Sequence, residues 1–196
     1  MTIEVLIARY GLAAILVGAG VEGETVVIAG GLVAHRGLLP FWGVAIAAVM
    51  GSFIADQLFF AIGRYFRGSA RVRKISVKPA FAAALGALER HPTRFILAFR
   101  FIYGLRTISP IAIGTTRVHT RKFVILNALS AAVWGVVFSS IGYLFGNAVE
   151  RAFGRLTSSH MLIAVGVVLV GGFAVVQGVR WVIHRRQARP AETARS

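Results

Sequence analysis

Apolar runs separated by short polar or basic segments make up most of this chain, and the runs differ in length. Leu38–Gly63 (26 residues), Phe123–Asn147 (25 residues) and Met161–Ile183 are long enough for helices that cross a bilayer, which takes about 20 residues. Val5–Val21, at 17 residues, falls just short of an upright span. Glu4 precedes it and Arg9 interrupts it, so it reads as a retained helix and not as a cleaved signal peptide. Two further apolar stretches are too short or too broken to cross. In the first, Gly20-Val21-Glu22-Gly23-Glu24 leads directly into an apolar piece that His35-Arg36-Gly37 stops. In the second, Phe95–Val118, the apolar pattern is interrupted by Arg100, Gly104, Arg106 and Ser109-Pro110. Interrupted backbone at membrane depth is tolerated where it is buried in protein or lines a cavity. Residues 22–37 and 103–120 are therefore expected to be re-entrant hairpins. Ala80–Arg90 has the pattern of a short amphipathic helix, ended by His91-Pro92.

Composition supports a membrane protein. Of 196 residues, 57% are hydrophobic and 15% charged, with a mean hydropathy of +0.74, against about 45–50% and 25% in soluble domains. The absence of cysteine excludes disulfides, thiolate catalysis and cysteine-held metals. The net charge of +15 lies between the apolar runs and at the C-terminus, which suits loop anchoring better than nucleic-acid binding. The longest basic stretch holds Arg64, Arg67, Arg71, Arg73, Lys74 and Lys78 without an acid. The positive-inside rule makes the loop 64–94 cytoplasmic. Span 38–63 then runs inward, 123–147 outward, and 161–183 returns so that the basic tail 185–196 is cytoplasmic as well. The two hairpins would dip in from opposite faces, as in an inverted repeat.

A weak internal similarity fits that arrangement. At an offset of 84 residues, Gly20, Gly30, His35, Ala47, Ala48, Val49 and Gly51 meet Gly104, Gly114, His119, Ala131, Ala132, Val133 and Gly135. The same register sets Glu22 opposite Arg106. The expected fold is all-α and integral to the membrane: an inverted repeat with two opposed re-entrant hairpins and about three to four transmembrane helices. It forms a single domain over 1–184, with halves of approximately 5–63 and 80–147 and an extra helix over 161–183.

The ionisable residues within apolar surroundings are Glu22, Glu24, Asp56, Arg100 and Arg106. One reading is a structural ion-pair network in which each charge neutralises another. The other divides the labour. The arginines offer planar donors that fit a phosphate or carboxylate. The acids, in a low-dielectric cavity, would carry protons. Asn127 is an interhelical contact or faces the cavity, and Trp134 reads as an interhelical contact. Enzyme readings lack their constellations. The five histidines have no zinc spacing, and neither Gly-x-Ser-x-Gly nor a P-loop occurs. Arg106 and His119 lack the acid that an intramembrane lipid phosphatase would need beyond its histidine. No cofactor is expected, with protons as the coupling ion.

Several motifs recur in order: Glu22-Gly23-Glu24 with Gly30, then Gly51-x4-Asp56-x6-Gly63-Arg64. Arg100-Phe101-Ile102-Tyr103-Gly104-Leu105-Arg106-Thr107 with Pro110 and Gly114 follows, then Asn127-x6-Trp134 and Gly142-Tyr143-x2-Gly146. Over about residues 10 to 150 the chain resembles the DedA family of integral membrane proteins, also called SNARE-associated or VTT-domain proteins. It departs from the family in having Tyr103 where proline is frequent and no prolines around the first hairpin's acid. The resemblance implies two opposed re-entrant hairpins and a role in moving lipids. In that family this means proton-motive-force-dependent transport in bacteria, undecaprenyl phosphate recycling in some members and scrambling in eukaryotic relatives. It carries Glu24, with Glu22 as the alternative, and Asp56 over as acids, and Arg100 and Arg106 as phosphate-binding bases. Tyr103, Gly104, Pro110 and Asn127 belong to the hairpin and cavity.

The function expected is a bacterial-type inner-membrane translocase for a phosphate-bearing lipid. Its partners are membrane lipids through their phosphate headgroup, with homo-oligomer formation left open. A passive scramblase, a proton-coupled small-ion or drug transporter, and a non-transporting assembly factor are the alternatives.

Overall fold

Helices are the only regular elements among the residues that the computed structural model describes, 3–102 and 105–153. They are α1 (Ile3–Val21), α2 (Glu24–His35), α3 (Phe41–Tyr65), α4 (Ala70–Ser76), α5 (Pro79–Arg90), α6 (Pro92–Ala98), a 3-10 turn (Phe99–Phe101), α7 (Ile108–Thr115) and α8 (Thr120–Phe153). Tyr103, Gly104, the span expected over Met161–Ile183 and the tail 185–196 lie outside the described residues. Three of the helices, α1, α3 and α8, are long and apolar enough to cross a membrane.

Local chemistry explains where the helices begin. Ser69 caps α4 by accepting from the Val72 amide at 3.3 Å. Pro79 and Pro92 open α5 and α6 at positions where the missing N–H is unneeded. Pro110 is buried in the first turn of α7, where the same holds. Gly23 separates α1 from α2 with φ 95° and ψ −117°, a conformation essentially confined to glycine. Its turn leaves Glu24 in the first turn of α2, where the helix dipole favours a carboxylate.

Packing within residues 1–146, one compact unit, sets how the elements lie against one another. α1 runs alongside and parallel to α3: Gly11 lies on Leu39, Leu12 on Gly43, and the Leu16 carbonyl on Gly51. Gly20, at the end of α1, meets the Gly51 carbonyl and Ala55, so α1 stops about halfway along α3. α2 turns back against α1, with Gly18 on Val26 and Gly30 on Ile15. α3 and α8 are antiparallel, paired at Phe41–Tyr143, Val49–Gly135 and Phe60–Phe123. The Phe60 and Phe123 rings stack at 4.2 Å. They belong to an apolar cluster with Phe81, Leu88, Phe99 and Ile113 that ties α5, α6 and α7 to the spans.

The first hairpin is built differently from the sequence expectation. It is not contained in 22–37; α1 and α2 are its two arms, with Glu22-Gly23 as the turn. The reason is length, since the 12 residues of α2 make one arm of about 18 Å and not two. In the second half, α6 and the 3-10 turn precede residues 102–107 and α7 follows.

Two glycine crossings join these short arms to the spans. At the first, a Cβ on Gly31 would strike the Ser139 carbonyl, and one on Gly142 would strike the Ile28 carbonyl. At the second, a Cβ on Gly114 would strike the Phe60 carbonyl, and one on Gly63 the Ile111 carbonyl. In each crossing the obstructing carbonyl lies three residues before the facing glycine. By this pattern Gly114 matches Gly31, whereas the sequence offset pairs it with the neighbouring Gly30, whose contacts are Ile15 and Val44 side chains.

Candidate functional site

Ser52 and Asp56 lie one turn apart on α3 and so share a face. Both are buried. Arg100, in the 3-10 turn, reaches that face and is 1% exposed. Its Nη1 donates to Ser52 Oγ and its Nη2 to Asp56 Oδ2, forming an ion pair. Nη2 also donates to Asn127 Oδ1 of α8 at 2.8 Å. This is a closed arrangement, with neither partner of the ion pair open to a ligand unless the pair separates.

Arg106 enters the same region from the turn before α7 and is held more loosely. Its Nη2 donates to the Ala19 carbonyl at 2.6 Å and to Ser52 Oγ at 3.2 Å. Glu24 stands 3.9 Å from Nη1; the two side chains are 40% and 17% exposed respectively. Ser52 thus accepts from both arginines, which uses its two lone pairs and leaves its proton to donate. Sharing one oxygen places the guanidiniums within about 6 Å of one another. Two like charges at that separation repel by roughly 3 kcal/mol at an effective dielectric near 20. Asp56, Glu24 and the Trp134 ring offset the repulsion, the ring centroid lying 4.7 Å from Arg106 Cζ.

Asp56, Arg100, Arg106, Glu24 and Asn127 are therefore gathered in one cluster. Glu22 is not. The sequence register sets Glu22 opposite Arg106, but the Gly23 turn leaves Glu22 exposed and presents Glu24 at the arginine. Ser52 escapes a sequence reading because an isolated serine in a span usually serves packing. Its spacing of four from Asp56 was the available signal. Gly23 escapes it too: Arg106 Nη1 occupies the place where a Cβ on Gly23 would stand. Gly23→Ala is accordingly expected to add about 1–3 kcal/mol of backbone strain and to push the Arg106 guanidinium away. Thermal unfolding of the purified protein checks this, and an unchanged melting temperature would contradict it.

Chemically the cluster pairs two cations with two carboxylates, one pair tight and buried, the other loose and open. An anion with several acceptor oxygens can replace Glu24 at Arg106 without uncovering a buried charge. No group of three His, Asp or Glu able to hold a metal ion occurs among the described residues.

Comparison with known proteins gives the cluster a family. The VTT domain profile matches residues 21–144, which contain all of the cluster. The Escherichia coli inner membrane protein YohD is 37% identical over 186 residues, 95% of each chain. Undecaprenyl phosphate transporter A of Bacillus subtilis is 28% identical over 83% of this chain and 87% of its own length. The E. coli protein DedA is 27% identical over 73% of this chain and 61% of its own. No solved structure matches. With a domain profile over most of its helical part and a relative similar over almost its whole length, the chain belongs to the DedA family of VTT-domain membrane proteins.

Proposed function

We propose that this protein is a translocase that carries a phosphate-bearing lipid across the inner membrane, with proton coupling through Glu24. The observation that carries the proposal is the open Arg106–Glu24 pair beside the closed Arg100–Asp56 pair. A phosphate oxygen displacing Glu24 would gain charge-assisted bonds from Arg106. Glu24, released from Arg106, would be the carboxylate through which a proton is exchanged as the anion binds. Arg100 and Asp56 hold α3, the 3-10 turn and α8 together beneath that exchange, which assigns the structural reading of the ion pairs to them and the substrate role to Arg106. Asn127 serves the same closed pair.

Two features support opposed re-entrant hairpins related by an inverted repeat. α1 ends halfway along α3, and the Gly31–Gly142 and Gly63–Gly114 crossings have the same pattern of glycines and carbonyls. In this reading both turns meet near the bilayer midplane, and the loop 64–94 and the C-terminal tail face the cytoplasm. The relative named undecaprenyl phosphate transporter A makes a polyprenyl phosphate the first substrate to try, with phospholipids second.

Proteoliposomes carrying a fluorescent short-chain polyprenyl phosphate test the proposal. Losing the charged contact of Arg106, worth about 1.5–3 kcal/mol, is expected to cut the initial rate of Arg106→Ala at least about tenfold. A rate equal to wild type would sink the arginine's role. Dissipating an imposed pH gradient is expected to slow wild-type movement. Insensitivity to the gradient would leave passive scrambling.

A further inference from the structure

Trp134 has no part in the exchange described above, yet it touches both arginines. It is fully buried within α8, with its ring centroid 4.7 Å from Arg106 Cζ and 5.8 Å from Arg100 Cζ. Arg100 already has a buried partner in Asp56. Arg106 does not, because Glu24 is 3.9 Å away and 40% exposed, and its nearer contacts are the neutral oxygens of Ala19 and Ser52. A second guanidinium beside the first, with only a loosely held acid, needs another source of stabilisation. The negative face of an indole supplies it without a formal charge. The indole edge is not what fixes the ring, since Nε1 is buried and has no hydrogen-bond partner.

We infer that Trp134 is a positioning residue for the anion site, its face holding Arg106 beside Arg100 so that Glu24 stays free to leave. The inference rests on the translocase reading and adds a residue to it. A carboxylate in place of the ring would hold Arg106 as firmly but would cancel its charge and with it the attraction for an incoming anion. The indole face stabilises the cation and leaves that attraction in place. It also remains in contact with Arg100, so it keeps the two guanidiniums as neighbours when Glu24 swings out.

Two variants separate the ring face from its bulk. Trp134→Phe keeps a π face and loses the N–H; Trp134→Leu keeps an apolar side chain and loses the face. Transport of short-chain polyprenyl phosphate is expected to stay within about threefold of wild type in the first. In the second it should fall at least about tenfold, mostly through a raised apparent KM. Leucine and phenylalanine variants that transport alike would overturn the inference. A second arm needs no substrate and no change at Trp134. In a protein whose Trp42 and Trp181 are replaced by Phe, the emission of Trp134 is expected to shift when Arg106→Gln removes the cation from its face. An emission spectrum indifferent to Arg106→Gln, where the parent protein retaining Arg106 transports and Arg106→Gln does not, would overturn the contact and leave the translocase reading standing. A responsive spectrum, together with a wild-type protein that moves neither polyprenyl phosphate nor phospholipid, would uphold the contact and remove the translocase reading.

Discussion

Asp56→Asn is expected to lower the stability of the protein by about 3–5 kcal/mol, the usual consequence of removing one partner from a buried ion pair. Asp56 and Arg100 have side-chain exposures of 3% and 0%, so solvent cannot take over the role of the missing carboxylate. Asparagine would still accept one bond from Arg100 Nη2, but it would leave the guanidinium charge unbalanced beside a second one, Arg106, that already shares Ser52. The loss should be visible as a reduced membrane yield and an earlier unfolding transition of the purified protein. The double variant Asp56→Asn/Arg100→Gln removes both charges and is expected to recover much of that loss, because a neutral pair of similar size avoids the unpaired buried charge. If the double variant is less stable than Asp56→Asn alone, the pair is not the closed structural unit described here. Restored stability without restored transport would show that the pair also serves transport.

The contrast between the two ion pairs was only partly visible in the sequence. Charges inside apolar runs are costly enough to stand out, so Glu22, Glu24, Asp56, Arg100 and Arg106 all declare themselves, and the DedA-like order of motifs leaves Glu22 as the alternative to Glu24. What decides their division of labour is three-dimensional. Arg100 is buried because the 3-10 turn after α6 aims it at α3, and no residue pattern marks that turn. The choice of Glu24 over Glu22 depends on the backbone of Gly23, whose φ of 95° is permitted by glycine but not required by it. Ser52 and the Ala19 carbonyl are invisible for a related reason, since a hydroxyl in a span and a backbone oxygen at a helix end gain meaning from whatever reaches them.

The fold shows the same division. Apolar length alone identified α3 and α8, and the amphipathic pattern with its flanking prolines identified α5, found at Pro79–Arg90. Residues 22–37, expected to fold as both arms of a hairpin, supply a single helical arm, α2. A run's length limits what it can form but does not say which neighbour it folds against. Here α2 folds back on α1, the run that the sequence treats as a near-span. The internal similarity lies at a register one residue away from the glycines that make equivalent contacts, since Gly30 and Gly31 are adjacent and a sequence offset cannot choose between them.

Those glycines give the other large expected effect. Replacing a helical glycine by alanine ordinarily stabilises a helix by about 0.5–1 kcal/mol. At Gly31, Gly63, Gly114 and Gly142 the sign should reverse. The added Cβ would meet a backbone carbonyl at every one of them, and backbone cannot swing aside as a side chain can. Overpacking of this kind costs typically about 1–3 kcal/mol, which exceeds the propensity gain, so all four alanine variants are expected to be destabilised. Gly86 in α5 is the control: a Cβ there has only Arg90 Nη2 nearby, at 3.7 Å, and Gly86→Ala should gain stability. Double variants carry the assignment further. Gly31→Ala with Gly142→Ala loads a single crossing, and once the helices have moved apart the second methyl should cost less than it does alone. Gly31→Ala with Gly114→Ala loads two separate crossings, and the costs should add within about 0.5 kcal/mol. Additivity within a crossing together with coupling between crossings would mean that α2 and α7 do not rest on separate spans. The two short arms could not then move independently against α8 and α3, which a mechanism of alternating access through two hairpins requires.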